Sequence, residues 1–175
     1  MPSEKPIIQK ETVVGINTDV KSVHLIDDDQ VLYCCGNHVL IWNRHTKKQS
    51  FLYQCGNSEE IQSIVLFCSR NLVAICVEKM EKGLYVIIFN LCTLKRKKLL
   101  KFQNEDEKRI VDISFTLDGK HCLVLHGAPN FLLALWNIEK MPKSVATVRL
   151  ATPSGKQLTK ASIRPVLGDN KEMIV

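Results

Sequence analysis

Cys34 and Cys35 are adjacent thiols, the residue types from which a redox couple is made. In an extended strand, however, neighbouring side chains point to opposite faces, so the pair is expected to divide between the core and a contact between adjacent sheets. His121 and His126 bracket the apolar run Cys122-Leu123-Val124-Leu125, and their offset of five again sends them to opposite faces, against a shared metal ion. Asp27-Asp28-Asp29 carries enough charge for a divalent cation but lacks the glycine and the distal Glu of a calcium loop, so a solvated hairpin turn is expected. Ser154-Gly155-Lys156 echoes the end of a phosphate-binding loop, without the earlier glycine and without a following helix. No base, nucleophile and metal set assembles from these residues, and neither catalysis nor a cofactor is expected.

The cysteines at 34, 35, 55, 68, 76, 92 and 122 are seven in number, with no C-x-x-C pair and most of them inside apolar runs. They read as small buried hydrophobes in a reducing compartment. The polar N-terminus, with two prolines, is unlike a secretory signal. The longest apolar runs, Leu84 to Cys92 and Phe131 to Trp136, fall well short of the roughly 20 residues that span a bilayer. A cytosolic location without membrane association is therefore expected.

One segment has a functional accent. Lys95, Arg96, Lys97, Lys98 and Lys101 lie within residues 91–110, where seven cations face three carboxylates, a balance of +4 out of the chain's +6. Basicity this confined argues against duplex nucleic acid, whose binders spread cations over a face. Three readings stand: an outer edge strand guarded by lysines, an electrostatic contact to an acidic partner such as the tubulin surface, or a nuclear-import or nucleic-acid patch.

The elements that carry these residues recur. Ile41-Trp42-Asn43-Arg44, Ile88-Phe89-Asn90-Leu91 and Leu135-Trp136-Asn137-Ile138 share the order aliphatic, aromatic, Asn, and their aromatics are 47 residues apart in both steps. Upstream of each lies an alternating apolar segment (20–25, 61–66 and 110–115), then a turn rich in Asp, Asn or Gly, then a β-branched run. After each tetrapeptide a short turn opens a more polar fourth strand. Four short antiparallel strands at this period predict an all-β fold, a partial β-propeller. A β-sandwich with evenly spaced strands is the competing reading, and no window carries the long helical period of a parallel α/β fold.

The blades are expected at residues 20–60, 61–109 and 110–152, after a lead-in at 1–19 and before an incomplete fourth at 153–175. Closed propellers have four to eight blades. The chain is thus expected to be a fragment or truncated isoform, or to cover its open edge by oligomerisation or a partner.

These blades resemble the WD-repeat family, with Trp42 and Trp136 in the place of its tryptophan, Phe89 standing for the second, and Asp118-Gly119 in the place of its hairpin turn. No Gly-His dipeptide opens a blade, so the family's Asp-His-Ser/Thr-Trp network is not carried over. The order GINTDVKSVHLIDDDQVLYCCGNHVLIWN, basic tract, SVATVRLATPSG is similar to the N-terminus of flagellar scaffolds of the cilia- and flagella-associated protein 57 type. That resemblance implies a non-catalytic scaffold in the axoneme of cilia or flagella, positioning dynein arms and lying near microtubules, with dynein or tubulin as partners. A general cytosolic or nuclear WD adaptor and a propeller-based enzyme are the alternatives; the first would co-purify with other machines, and the second would need a residue that the sequence does not nominate.

Overall fold

Runs of β-branched and aliphatic residues punctuated by Asp, Asn and Gly become strands joined by tight turns. The computed structural model describes residues 12–18, 23–80, 83–102, 109–128, 131–140, 144–151, 157–164 and 173–174. The chain divides after Gln54 into two units. In the first, β1 (His24–Leu25), β2 (Gln30–Cys35), β3 (His38–Asn43) and β4 (Gln49–Gln54) form one antiparallel sheet in chain order. Gln49 ties the preceding segment to this sheet like a strand backbone: its amide accepts from Val13 N at 2.8 Å and donates to Val13 O at 2.9 Å.

The second unit repeats the plan. β5 (Glu59–Phe67), β6 (Leu72–Lys79), β7 (Gly83–Asn90) and β8 (Lys95–Lys101) make one sheet in chain order. β9 (Ile110–Phe115), β10 (His121–His126), β11 (Leu132–Asn137) and β12 (Ser144–Arg149) make another, and β13 (Ile163–Arg164) pairs with β14 (Met173–Ile174). The helical content among the described residues is a single 3-10 turn, Cys68–Arg70, between β5 and β6. The first strand is shorter than its sequence pattern: only His24 and Leu25 pair with β2, and residues 19–22 lie outside the described residues.

Within the second unit the two large sheets pack face to face. Leu72, Ala74 and Cys76 of β6, Ile88 of β7 and Leu100 of β8 share one buried cluster with Ile113, Cys122, Val124 and Trp136 of the third sheet. The alternation that placed these residues on one face is what makes this possible. Phe67 stacks on Phe115 with ring centres 5.3 Å apart, and Phe102 meets Trp136 edge-on at 5.4 Å. On the other face of the third sheet, Leu123, Leu125 and Leu133 pack with Ala161, whose N–H donates to Asp112 at 2.9 Å. That contact joins the beginning of the fourth repeat to the third.

Candidate protein-interaction site

Trp42, Phe89 and Trp136 are each the penultimate residue of the third strand of their sheet. Trp42 pairs with Val31 and Gln49, Phe89 with Val73 and Arg96, and Trp136 with Cys122 and Ser144. In the second and third sheets a bulge falls immediately before the aromatic, leaving Lys97 and Val145 as the extra residues of the outer strands. Trp136 is 5% and Phe89 7% exposed. Trp42 is half-buried, with the Lys47 ammonium 5.2 Å above its ring. Beside Trp42, residues Val14, Ile16, Val23 and Tyr33 line an apolar groove of about 690 Å³.

The asparagine after each aromatic has a structural task that sequence reasoning missed. Asn43 Oδ1 accepts from the amides of His45 and Thr46 and from the Thr46 hydroxyl. Asn90 Oδ1 accepts from the amide and hydroxyl of Thr93, and Asn137 Oδ1 from the amides of Glu139 and Lys140. Such side-chain caps fold the turn into the fourth strand. In the first two copies the turn ends four residues after the Asn in a left-handed residue, Lys47 at φ 57° and Leu94 at φ 54°. The signal that could have revealed the device is the threonine three residues after the Asn, present at 46 and 93.

Asp118 and Gly119 form the β9–β10 turn. Asp118 Oδ1 accepts from the Thr116 hydroxyl at 2.6 Å and from Lys120 N at 2.9 Å, and these bonds lower its pKa. Thr116 Oγ1 in turn accepts from His121 N at 3.0 Å, and His121 Nε2 lies 3.2 Å from Asn137 Nδ2. This chain of polar contacts ends at the asparagine; Trp136 Nε1 has no hydrogen-bond partner among the described residues.

The basic tract is β8, the last strand of its sheet, whose strand partner among the described residues is β7. Lys95, Arg96, Lys97 and Lys101 are exposed, Leu100 is fully buried, and Lys98 Nζ donates to the Lys140 carbonyl. Aliphatic and cationic side chains thus divide one strand between core and solvent.

The other candidates take structural places. Asp27 Oδ1 accepts from the amides of Asp29 and Gln30, closing the β1–β2 turn, while Asp29 pairs with Arg44 at 3.0 Å and His45 at 2.7 Å. Among the described residues no group of three His, Cys, Asp or Glu is arranged to hold a metal ion. His126 is 1% exposed and packs edge-on against Phe102; burial lowers its pKa to about 4. Cys34 and Cys35 are both buried, and burial, then the neighbouring Cys35, pushes the Cys34 thiol up to about 11. Of the seven cysteines, Cys68 and Cys92 depart from the buried expectation, because both lie in turns rather than strands. Ser154-Gly155-Lys156 lies outside the described residues. Among the described residues no helix is long and apolar enough to cross a membrane.

No protein-family model matches this sequence. The chain is 27% identical over 138 residues to cilia- and flagella-associated protein 57 of Mus musculus, an alignment that covers 77% of this chain and 11% of the relative. Its structure matches a chain in a crystal structure of the mitotic checkpoint complex with a TM-score of 0.55 and 14% identity, over 85% of this chain and 47% of that one. The chain therefore spans less than half the length of either protein. At such identity the structural likeness speaks for fold alone, and the two together support a relationship to WD-repeat proteins. The fold is all-β, a partial WD40-type β-propeller of three four-stranded blades and the start of a fourth.

Proposed function

We propose that the chain is part of a non-catalytic WD-repeat scaffold of the ciliary or flagellar axoneme, on which other proteins assemble. The observation that carries this reading is the 27% identity to the mouse cilia- and flagella-associated protein over most of this chain. The repeated sheets suit such a role, since each four-stranded sheet presents an outer strand. Dynein arms or the microtubule surface are the proposed partners, with the cations Lys95, Arg96, Lys97, Lys98 and Lys101 as the proposed contact to an acidic surface. Trp42, Phe89, Trp136, Asp118 and Gly119 are proposed as the residues that define each repeat rather than as contacts. The blade limits at 20–60, 61–109 and 110–152, with 1–19 as lead-in and 153–175 opening a fourth, belong to the same proposal.

Fractionation of ciliated cells tests it. The protein is expected to remain with demembranated axonemes and to be absent from cells without cilia. Abundance in unciliated cells, in association with RNA-processing or ubiquitin-ligase machinery, would replace the axonemal reading with that of a general adaptor.

A further inference from the structure

The cationic character of β8 is not required by the architecture. β4 (QSFLYQ) and β12 (SVATVR) hold the same outer position in their sheets with no charge and one arginine, whereas β8 reads KRKKLLK. β12 leaves Val145 59% and Val148 56% exposed without such protection. A guard against edge association would serve all three strands alike, so five cations on one of them call for another cause.

The strand's surroundings describe the missing partner. Among the described residues no carboxylate forms an ion pair with Lys95, Arg96, Lys97 or Lys101. The backbone of β8 bonds to β7 on one side, and no hydrogen bond reaches its outer side among the described residues. Lys98 is drawn to the Lys140 carbonyl of the next blade, which gathers a further ammonium at the same edge. The outer amides and carbonyls of such a strand are complementary to another strand, and its cations are complementary to carboxylates.

We propose that β8 is a docking strand for an extended peptide segment rich in Glu or Asp, which adds beside it as a fifth strand. In such a segment the side chains on one face recur about every 6.8 Å, the repeat that β8 keeps on either side of its bulge at Lys97. The peptide backbone satisfies the outer amides and carbonyls, which a phosphate backbone cannot do in register. Single-stranded nucleic acid would also need aromatic platforms, and those nearby are engaged: Phe89 is 7% exposed, and Phe102 packs on His126 and Trp136. The proposal deepens the scaffold reading by naming its contact, yet it does not depend on an axonemal location.

The test is fluorescence anisotropy of the full chain with a labelled ten-residue polyglutamate peptide. Binding is expected, weakening on the order of tenfold between 50 and 200 mM salt. The triple variant Lys95→Ser, Lys97→Ser, Lys101→Ser should lose at least about tenfold, while Lys120→Ser, Arg149→Ser, Lys160→Ser, which removes equal charge elsewhere, should bind like the parent. The same peptide N-methylated at alternate residues should bind at least about fivefold more weakly, because its edge cannot pair. Equal loss in the two triple variants, no effect of N-methylation, or tighter binding of a thymidine 20-mer than of the peptide would overturn the proposal. Thermal melts of each variant establish that it is folded. Peptide binding without retention on axonemes would overturn the ciliary reading alone, and the reverse result this one alone.

Discussion

Arg70 Nε donates to the Leu117 carbonyl at 3.3 Å, and the two residues are 47 apart, the period of the repeat. Corresponding turns of neighbouring blades are thus bonded to one another. The close approach depends on Gly119, whose φ is +67° and whose absent Cβ would lie 2.9 Å from Arg70 Cγ. Gly119→Ala should therefore destabilise the chain by about 1–3 kcal/mol, part from the left-handed backbone and part from the clash. Urea unfolding checks this. In the double variant with Arg70→Ala the Cγ clash should go, while the Arg70 Cβ contact at 3.2 Å and the backbone part remain, so full additivity would contradict the geometry.

The asparagine-capped turns give opposite expectations at two positions. Asn90→Ala removes the acceptor of the Thr93 amide and hydroxyl and should cost about 0.5–2 kcal/mol. Leu94→Gly relieves a left-handed residue that is 42% exposed, and should stabilise by roughly 0.5–1 kcal/mol. Chemical denaturation of the two single variants should shift the midpoint in opposite directions.

Acid sensitivity should begin near pH 6.5 because of one imidazole. Burial holds folded His126 at about 4, against 6.5 ordinarily. Between these values the unfolded chain binds a proton that the folded chain excludes, so stability is complete above about pH 6.5 and falls as the pH drops toward 4, by about 3 kcal/mol at most. Glu59 acts in a lower window. Its bond to Lys79 and that from Gly56 N hold it at about 2, so its contribution is present above about pH 4.5 and is lost as the pH falls toward 2. His126→Leu should flatten the stability profile between pH 4 and 6.5 and leave the lower loss in place, as measured by urea melts across that range.

Adjacent residues of β8 should respond in sharply different ways. Leu100 is fully buried among Ile88, Val86 and Trp136, and Leu100→Ala should cost about 2–5 kcal/mol. Lys101 is exposed, and Lys101→Ala should change stability by less than about 0.5 kcal/mol. Parallel thermal melts of the two variants decide the matter.

Strand order was legible because alternation is a local property: the runs at Val31, Leu72 and Cys122 needed only their own residues to read as buried second strands. The repeated Asn was visible as a letter, but its acceptor role depends on amides two and three residues on, which pattern alone does not orient. Harder still were contacts set by the packing of whole sheets. Nothing near His126 in the sequence announces Phe102, and Arg70 meets Leu117 only once two blades stack. The basic tract was legible as charge and, in one of its three readings, as an outer edge strand; the sheet order puts it last in its sheet, paired with β7.

Five of the seven thiols are buried, four of them in strands, and burial pushes Cys76 and Cys122 up to about 12. At neutral pH these two are neither ionised nor reachable by an alkylating reagent, while Cys68 and Cys92 stand at the surface. The molecule consequently keeps its own record of breathing: rapid labelling at two sites reports accessibility, and slow labelling at the interior ones times each opening of a blade.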